Sequence, residues 1–475
     1  MTSVLAIYLV ALTVLVLVAI RYDALVGRCQ LLSTRNFFLI GLLLFQATSG
    51  AVTLFLEETE RGAELESFVF PGIGFCIILT LFTLLFVRFY RRAEWVERFA
   101  IARTRVRVTS KGRLVTAGVA LTSIGCALRF AGDNIPYVAI LLPQIAAGCL
   151  TGGVALIAIA WARSSWNLFI ALILALATVM SSAVLLVGAF GRRELLGLLL
   201  ALIWALYHEK WRLMPVTRFI PRATVAALLV GGAVLAFSAS RVGGENVDRS
   251  LSQQVQRILT IDSRVAEEML IASLSGQFAG GVSMWIFNER MTNGGYYPLH
   301  SLVYLVTLPI PRDYWPSKPE GLGFVAVQEA SVSGVADFFS WGPGLVGHLT
   351  HDILLISVPL YALLIAWGLK YMDTRTAWST RDPLTVVLFG SALGQVLGMP
   401  RGDIGLFAFN MIAAYVGVWI FGHLVAIMIL PIDREAEQNP IEPDADSEAY
   451  EAWSEDEAAE DDIRGATTYE SAHGR

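Results

Sequence analysis

Apolar runs of bilayer length recur along this chain, and they constrain its fold more than any other feature. Crossing the hydrocarbon core of a bilayer takes about 20 apolar residues of helix, because a helix satisfies its own backbone hydrogen bonds there. Eleven such runs are predicted, at 4–20, 36–56, 68–88, 113–131, 137–160, 167–189, 194–211, 222–240, 344–369, 384–400 and 404–430. The sequence therefore predicts an all-α polytopic membrane protein with about eleven transmembrane helices.

The composition favours the same class. Hydrophobic residues make up 55% of the chain and charged residues 16%, and the mean hydropathy is +0.61. These values are more apolar than those of an ordinary soluble domain. The four cysteines show no paired spacing that would predict a disulfide framework or a zinc site, and they lie at Cys29, Cys76, Cys126 and Cys149. No metal and no cofactor is expected.

Charge is distributed unevenly along the chain. Residues 433–475 carry fifteen Asp and Glu against three Arg, a charge of -12, which leaves +7 on residues 1–432 out of a total of -5. Such an acidic tail is typical of a solvated, disordered segment. We predict four parts: a membrane bundle of about eight spans at 1–240, an extracytoplasmic segment at 241–343, further spans at 344–432 and the tail at 433–475.

Lysine and arginine collect in two loops, 89–113 and 210–222. The positive-inside rule places both loops in the cytoplasm, so the N-terminus and the segment 241–343 are expected outside and the acidic tail inside. The loop 89–113 mixes arginines with aromatic residues beside a span. That pattern favours contact with anionic lipid headgroups of the bilayer, and we expect no nucleic acid partner.

The segment 241–343 holds most of the candidate polar sites. Arg257 and Arg264 are seven residues apart, a spacing that keeps both on one helix face, either as a cationic stripe for substrate or as a solvated face neutralised by nearby carboxylates. Residues 277–295 are rich in glycine and polar residues, a mixture typical of loops and of carbohydrate sites. Residues 296–311 are apolar but too short to cross, so a re-entrant or interfacial stretch is predicted.

Residues 309–319 follow as a proline-rich ribbon with four prolines. Each proline fixes its own φ and favours extended geometry in the residue before it, so Arg312 and Lys318 are expected to be presented on a stiff, non-helical backbone. Such cations suit phosphate, while Tyr314 and Trp315 can stack on a sugar or lie at the membrane interface. The alternative is a tight surface loop in which Arg312 pairs with Asp313.

The pattern Pro311-Arg312-x-x-Trp315-Pro316-x-Lys318-Pro319 resembles the signature of bacterial O-antigen and capsule polymerases of the Wzy type. The glycines 342, 344 and 347 and the sequence Arg401-Gly402-Asp403 resemble further features of that family. The resemblance implies a GT-C-like glycosyltransferase in the inner or plasma membrane. Its substrate would be a polyprenyl-diphosphate-linked oligosaccharide, polymerised on the outer face, with a chain-length regulator and a flippase as partners of the pathway.

Developing charge on a diphosphate leaving group needs fixed cations, and the acceptor hydroxyl needs a general base. We therefore expect catalytic roles for Arg312, Arg401, His300 and Asp403, and substrate-binding roles for Lys318, Tyr314, Trp315, Arg264, Arg257 and His348. His351, Asp352 and Asp337 are further candidates for the base. Three alternatives stay open: an O-antigen ligase, another GT-C transferase that uses Glu57, Glu58 or Glu60, and a transporter or flippase of lipid-linked sugars.

Overall fold

The computed structural model describes residues 1–60, 62–101, 109–132, 141–164, 167–186, 192–239, 278–330, 340–378 and 382–429. These residues form helices joined by loops, with no strand among them. Eight of the described helices are long and apolar enough to cross a membrane: Thr2–Leu25, Thr34–Leu56, Val69–Arg92, Lys111–Ala131, Leu141–Arg163, Leu168–Leu185, Leu354–Ala377 and Ile404–Ile429. The prediction of a helical polytopic membrane protein is confirmed at that level.

The α-helices are numbered in chain order, and a π-helical turn, Leu43–Thr48, joins α2 to α3 without a break. Their bounds are α1 Thr2–Leu25, α2 Thr34–Leu42, α3 Ser49–Leu56, α4 Val69–Arg92, α5 Glu94–Ile101, α6 Lys111–Gly132, α7 Leu141–Arg163, α8 Leu168–Leu186, α9 Arg192–Glu209, α10 Val216–Ala239, α11 Ala279–Asn293, α12 His300–Thr307, α13 Leu322–Glu329, α14 Gly344–His351, α15 Leu354–Trp378, α16 Pro383–Gly390, α17 Leu393–Gly398 and α18 Ile404–Ile429.

Two of the predicted spans are broken in the structure. The run 344–369 is divided into α14 and α15, because Ile353 adopts a left-handed backbone with φ of 68° and ends the first helix. The run 384–400 forms α16 and α17, each too short to cross a bilayer alone. The predicted spans at 194–211 and 222–240 correspond to α9 and α10, which are helical but are not among the eight.

The centre of the bundle is α7, which packs against α6, α8, α9 and α18. Small residues on α7 allow this close approach. A Cβ atom added at Gly148 would lie 2.6 Å from the carbonyl oxygen of Ala414 in α18, and one at Gly153 would lie 2.2 Å from the hydroxyl of Thr122 in α6. Small residues at helix crossings are how membrane helices gain packing when lipid offers no hydrophobic driving force between them.

The glycine-rich stretch, interpreted above as either a loop or a carbohydrate site, forms helix α11, Ala279–Asn293, and most of that helix is buried. Its glycines serve packing, since a Cβ at Gly280 would lie 2.6 Å from the Cα atom of Gly50 in α3. In addition, the ring of Phe287 lies where a Cβ on Gly74 of α4 would be. α11 is therefore held between α3, α4 and α14, and this places Arg290 inside the bundle.

Candidate functional site

A cluster of histidines occupies one end of the bundle. His348 and His351 lie one turn apart on α14, Asp352 ends that helix, and His300 begins α12. The break after α14 brings these groups together, because the main-chain amide of Tyr297 donates to the carbonyl oxygen of His351 over 3.1 Å. We call the four residues the histidine cluster.

His348 is fully buried and both of its ring nitrogens have partners. Its Nε2 accepts the amide N–H of Ile404 at the start of α18 over 3.3 Å. Its Nδ1 is hydrogen-bonded to the hydroxyl of Ser301 over 2.6 Å. Desolvation by burial lowers the pKa of His348 from its ordinary value, although Asp403 and Asp352 act against that shift. A neutral His348 thus joins α12, α14 and α18.

His351 is fully buried beside a cation. Arg290 donates from Nε to Nδ1 of His351 over 3.0 Å and binds both carboxylate oxygens of Glu329 at 2.8 Å and 2.6 Å. Burial, followed by the charge of Arg290, lowers the pKa of His351 to about 2, so the ring is neutral. Among the described residues its Nε2–H has no hydrogen-bond partner. This buried donor is left available.

Asp352 is the second group with an open position. Its Oδ2 accepts the amide N–H of Ser301 over 2.9 Å and the hydroxyl of Tyr361 from α15. Its Oδ1 is buried and has no partner in the part of the chain that the structure describes. Buried polar atoms are nearly always hydrogen-bonded in folded proteins, so each of these two adjacent residues keeps one hydrogen-bonding position for a further group.

Asp403 holds two helix N-termini together. Its Oδ2 accepts the amide N–H of Leu322 at the start of α13 over 2.9 Å, and its Oδ1 accepts that of Leu406 in the first turn of α18 over 3.2 Å. A carboxylate at a helix N-terminus is stabilised by the unpaired amides and by the helix dipole. Asp403 therefore has a structural role, which the sequence did not indicate.

The ribbon 309–319 is non-helical, as predicted, but its two cations differ. The Lys318 side chain is buried, and its ammonium donates to the carbonyl oxygens of Ile310 over 2.6 Å and Leu308 over 3.4 Å. Burial, and then the nearby Arg312, lowers the pKa of Lys318. Lys318 therefore binds the main chain at the start of its own ribbon and is not presented to a substrate.

Arg312 stays at the surface, with 48% of its side chain exposed, and pairs with Glu320 over 3.1 Å rather than with the adjacent Asp313. Tyr314 and Trp315 lie beside it and are 68% and 38% exposed. These three side chains form a surface that is cationic and aromatic, which is the combination expected of a site for phosphate and sugar.

Glu320 connects this surface to the histidine cluster. Its carboxylate pairs with Arg312, and its main-chain carbonyl oxygen lies 2.7 Å from Nε2 of His300. A carbonyl oxygen only accepts, so Nε2 of His300 carries the proton and Nδ1 holds the lone pair when the ring is neutral. The His300 ring lies edge-on to His351 with centroids 5.0 Å apart. His300 is only partly buried, which makes it the imidazole of the cluster closest to solvent.

Arg401 lies in the short connection between α17 and α18. Its guanidinium is placed over the ring of Phe45, 5.8 Å from the centroid. Glu60 is close enough that Arg401 lowers its pKa, although desolvation by burial acts more strongly and the net shift is upward. The preceding Pro400 carbonyl oxygen accepts from the side-chain amide of Gln46, over 2.8 Å. Gln46 lies in the π-helical turn, a feature frequent at functional sites.

The structure brings His300, His348, Asp403 and Arg312 into one neighbourhood and places Arg401 two residues from Asp403. Arg257 and Arg264, like Asp337, lie outside the described residues. Arg290 was not singled out as a site residue, because the polar residues around it were equally consistent with a loop and with a carbohydrate site. Within the described ranges no three His, Cys, Asp or Glu side chains are grouped so that they could hold a metal ion.

Comparison with known proteins adds no relative to this description. No protein-family model matches the chain, and no curated protein and no solved structure matches it either.

Proposed function

We propose that this protein is a membrane glycosyltransferase that polymerises polyprenyl-diphosphate-linked oligosaccharide repeat units on the extracytoplasmic face. One observation carries the proposal: a single residue, Glu320, joins an exposed arginine to a partly buried imidazole. Its side chain pairs with Arg312 and its carbonyl oxygen contacts His300. A cation for the leaving group and a base for the acceptor are thereby held at a fixed spacing.

The two halves of glycosyl transfer make different demands. As the bond from the sugar to the diphosphate breaks, negative charge grows on the leaving oxygen. A fixed guanidinium stabilises that charge through two parallel hydrogen bonds and without reorganisation. Arg312 is suited to this role because the ribbon restrains its backbone. Arg401, at the connection before α18, is the second candidate cation.

The acceptor hydroxyl must lose its proton as it attacks. His300 meets this need, because its Nδ1 holds a lone pair while Nε2 is fixed by the Glu320 carbonyl oxygen. His351 and Asp352 lie behind it with one open donor and one open acceptor. These two groups would orient sugar hydroxyls or an ordered water.

The charge distribution supports the proposed orientation. The histidine cluster lies at the α14 end of α15, whereas Arg28, Arg91 and Arg92 gather near the other end. The positive-inside rule puts the basic end in the cytoplasm. On that basis the histidine cluster and the ribbon face outward, in the inner or plasma membrane.

The test uses the purified full chain with a lipid-linked repeat unit as the sole glycan substrate. We expect a ladder of polymer lengths on a gel. Arg312→Ala should slow its formation on the order of a hundredfold, and Arg312→Lys should restore little because a point charge lacks the bidentate fork. The matched control is Arg98→Ala, which removes an exposed arginine from α5.

Three results would contradict the proposal. The first is full activity in Arg312→Ala. The second is the same loss in Arg98→Ala. The third is a product that forms only when a finished lipid A core is supplied as acceptor, which would indicate a ligase.

A further inference from the structure

A polar cavity lies at the end of the bundle opposite the histidine cluster. It has a volume of about 220 Å³, and it is formed where the ends of α4, α9 and α15 meet the loop between α1 and α2. The side chains that matter here are those of Arg28, Cys29, Tyr90, Glu97, Trp204, His208, Lys370 and Asp373. None of these residues belongs to the histidine cluster or to the ribbon.

His208 lines this cavity and has two ring nitrogens that are unpaired within the described part of the chain. The residue is only 4% exposed and lines the cavity. Its ring packs on Trp204 with centroids 4.1 Å apart, yet neither ring nitrogen has a hydrogen-bond partner among the described residues. A buried imidazole in this state loses hydrogen bonds that it made in water. A ligand that accepts from its N–H would restore one of them.

The carboxylate at the base of the cavity is already satisfied. Asp373 accepts from the amide and hydroxyl of Thr34 at 2.6 Å and 2.8 Å, from the amide of Arg35 at 3.1 Å and from the hydroxyl of Tyr90 at 2.7 Å. These four donors neutralise its attraction for a further cation. The cavity is therefore not organised around an acidic group in need of a metal or an amine.

Two cations line the cavity, and further arginines gather around Asp23 beside it. Asp23 is the shared partner of three arginines, Arg28 at 3.9 Å, Arg35 at 2.8 Å and Arg91 at 2.8 Å. Lys370 pairs with Glu97 over 3.0 Å and has two further N–H donors. Of the charged side chains that line the cavity, two are cations, Arg28 and Lys370, and two are carboxylates, Glu97 and Asp373. Arg28 is 53% exposed and lies at the mouth, where an anion would arrive.

The location also fits an anion that belongs to the membrane. The cavity opens between the ends of three helices of membrane-spanning length, α1, α4 and α15. Glu97, on its edge, belongs to α5, a short helix with Trp95 and Phe99 exposed. A short helix with exposed aromatic residues and arginines next to a span is typical of the headgroup level.

We propose that this cavity binds a phosphate group, with Arg28 and Lys370 pairing with its oxygens and His208 donating to it. A phospholipid headgroup and a free phosphate share this chemistry, and the experiment below separates the two sources. Arg28 lies at the entrance, whereas His208 lies inside, beside Trp204. A bound phosphate would cover Cys29, which lines the same cavity.

The test measures the rate at which N-ethylmaleimide alkylates Cys29 in the purified full chain. The protein is kept in a phosphate-free sugar detergent at mildly alkaline pH, because burial raises the pKa of the Cys29 thiol. Three probes are added separately: inorganic phosphate, dihexanoylphosphatidylglycerol and dihexanoylglycerol. Mass spectrometry of the peptides reports each cysteine, so that Cys126, which lies on α6 outside the cavity, serves as the internal control.

A ligand that covers the thiol and is present at four times its dissociation constant should slow alkylation of Cys29 roughly fivefold and leave Cys126 unchanged. Protection by inorganic phosphate as well as by the phospholipid identifies a free anion as a sufficient ligand. Protection by the phospholipid alone identifies a headgroup. Both results support a phosphate site.

Charge-removing variants test the assigned residues. Arg28→Gln and Lys370→Gln should lose most of the protection, whereas Arg98→Gln, a matched change on α5 outside the cavity, should keep it. Arg28 is exposed, so its replacement is compatible with folding even if Lys370→Gln fails to fold. Equal protection by dihexanoylglycerol, full protection in Arg28→Gln, or no protection by either phosphate probe would overturn the proposal.

Discussion

Asp352 and Asp373 lie near opposite ends of one helix, α15, whose 25 residues span about 37 Å. Both are buried among polar groups, but their surroundings differ. Asp373 accepts four hydrogen bonds and keeps none of its oxygens open. Asp352 leaves Oδ1 without a partner among the described residues. The completed set of hydrogen bonds around Asp373 holds helices together, while the open oxygen of Asp352 can still accept a hydrogen bond.

The two ends of α15 should differ most in their labelling by a reagent that cannot cross the membrane. Cysteine placed at Ser317, exposed on the ribbon, should react with a membrane-impermeant thiol reagent in intact cells, whereas cysteine at Ser110, exposed just before α6, should not. The measurement is labelling before and after the cells are opened. Both sites should react in opened cells, which controls for exposure. The reverse pattern in intact cells would place the histidine cluster in the cytoplasm.

Asn substitution of the two aspartates should affect stability very differently. Asp373→Asn removes a buried charge from four donors and places an NH₂ group among them, so the free energy of unfolding should fall by about 3–5 kcal/mol. Asp352→Asn should cost much less, because Oδ1 has no partner to lose, but it should reduce polymer formation strongly. Thermal unfolding in detergent and the ladder assay measure the two effects. Equal stability losses would remove the contrast between the ends.

The two candidate cations of the proposed site should act as one unit. Arg312→Ala and Arg401→Ala should each reduce polymer formation on the order of a hundredfold if both cations act on one diphosphate. The double variant should then lose far less than the product of the two defects, because groups that act together are not additive. Initial rates of the purified enzyme measure this. A multiplicative loss would assign the two arginines to separate tasks.

The smallest effect concerns pH. His351 has its pKa lowered to about 2 from 6.5 in the unfolded chain. Below pH 6.5 the unfolded state binds a proton that the folded state does not, so stability falls as the pH decreases through the window from 6.5 toward 2. The slope is up to about 1.4 kcal/mol per pH unit for one such histidine. His348 acts in the same direction, whereas Glu60, whose pKa is raised, acts in the opposite one.

Thermal unfolding measured at a series of pH values checks this slope. His351→Gln should flatten it, since the glutamine does not titrate. An unchanged slope in His351→Gln would mean that the acid sensitivity arises elsewhere.

The sequence predicted the class of fold because hydropathy and helix length are local properties. It also predicted the non-helical ribbon, since proline acts on its own backbone and on the residue before it. It did not predict the burial of Lys318 or the contact between Thr34 and Asp373, residues 339 positions apart. Pairings across such distances depend on which helices pack together, and one sequence does not contain that information.

Glycine gave the most misleading local signal. The stretch that contains Gly280 and Gly281 was interpreted as a loop or a carbohydrate site, but these glycines permit α11 to approach α3. In a membrane bundle a missing Cβ is as often a packing surface as a point of flexibility. Arg290 was overlooked for this reason, although a lone arginine in an apolar helix is itself a signal of an intramembrane or buried polar partner.

Replacing Ile353 is one way to obtain a more stable preparation. A β-branched residue with φ of 68° costs roughly 1–2 kcal/mol relative to one that tolerates the left-handed region. Asparagine adopts this backbone more readily, so Ile353→Asn should keep the break between α14 and α15 and leave the melting temperature unchanged or higher by a few degrees. The backbone strain between α14 and α15 can therefore be relieved without replacing His348 or His351 on one side or Tyr361 on the other.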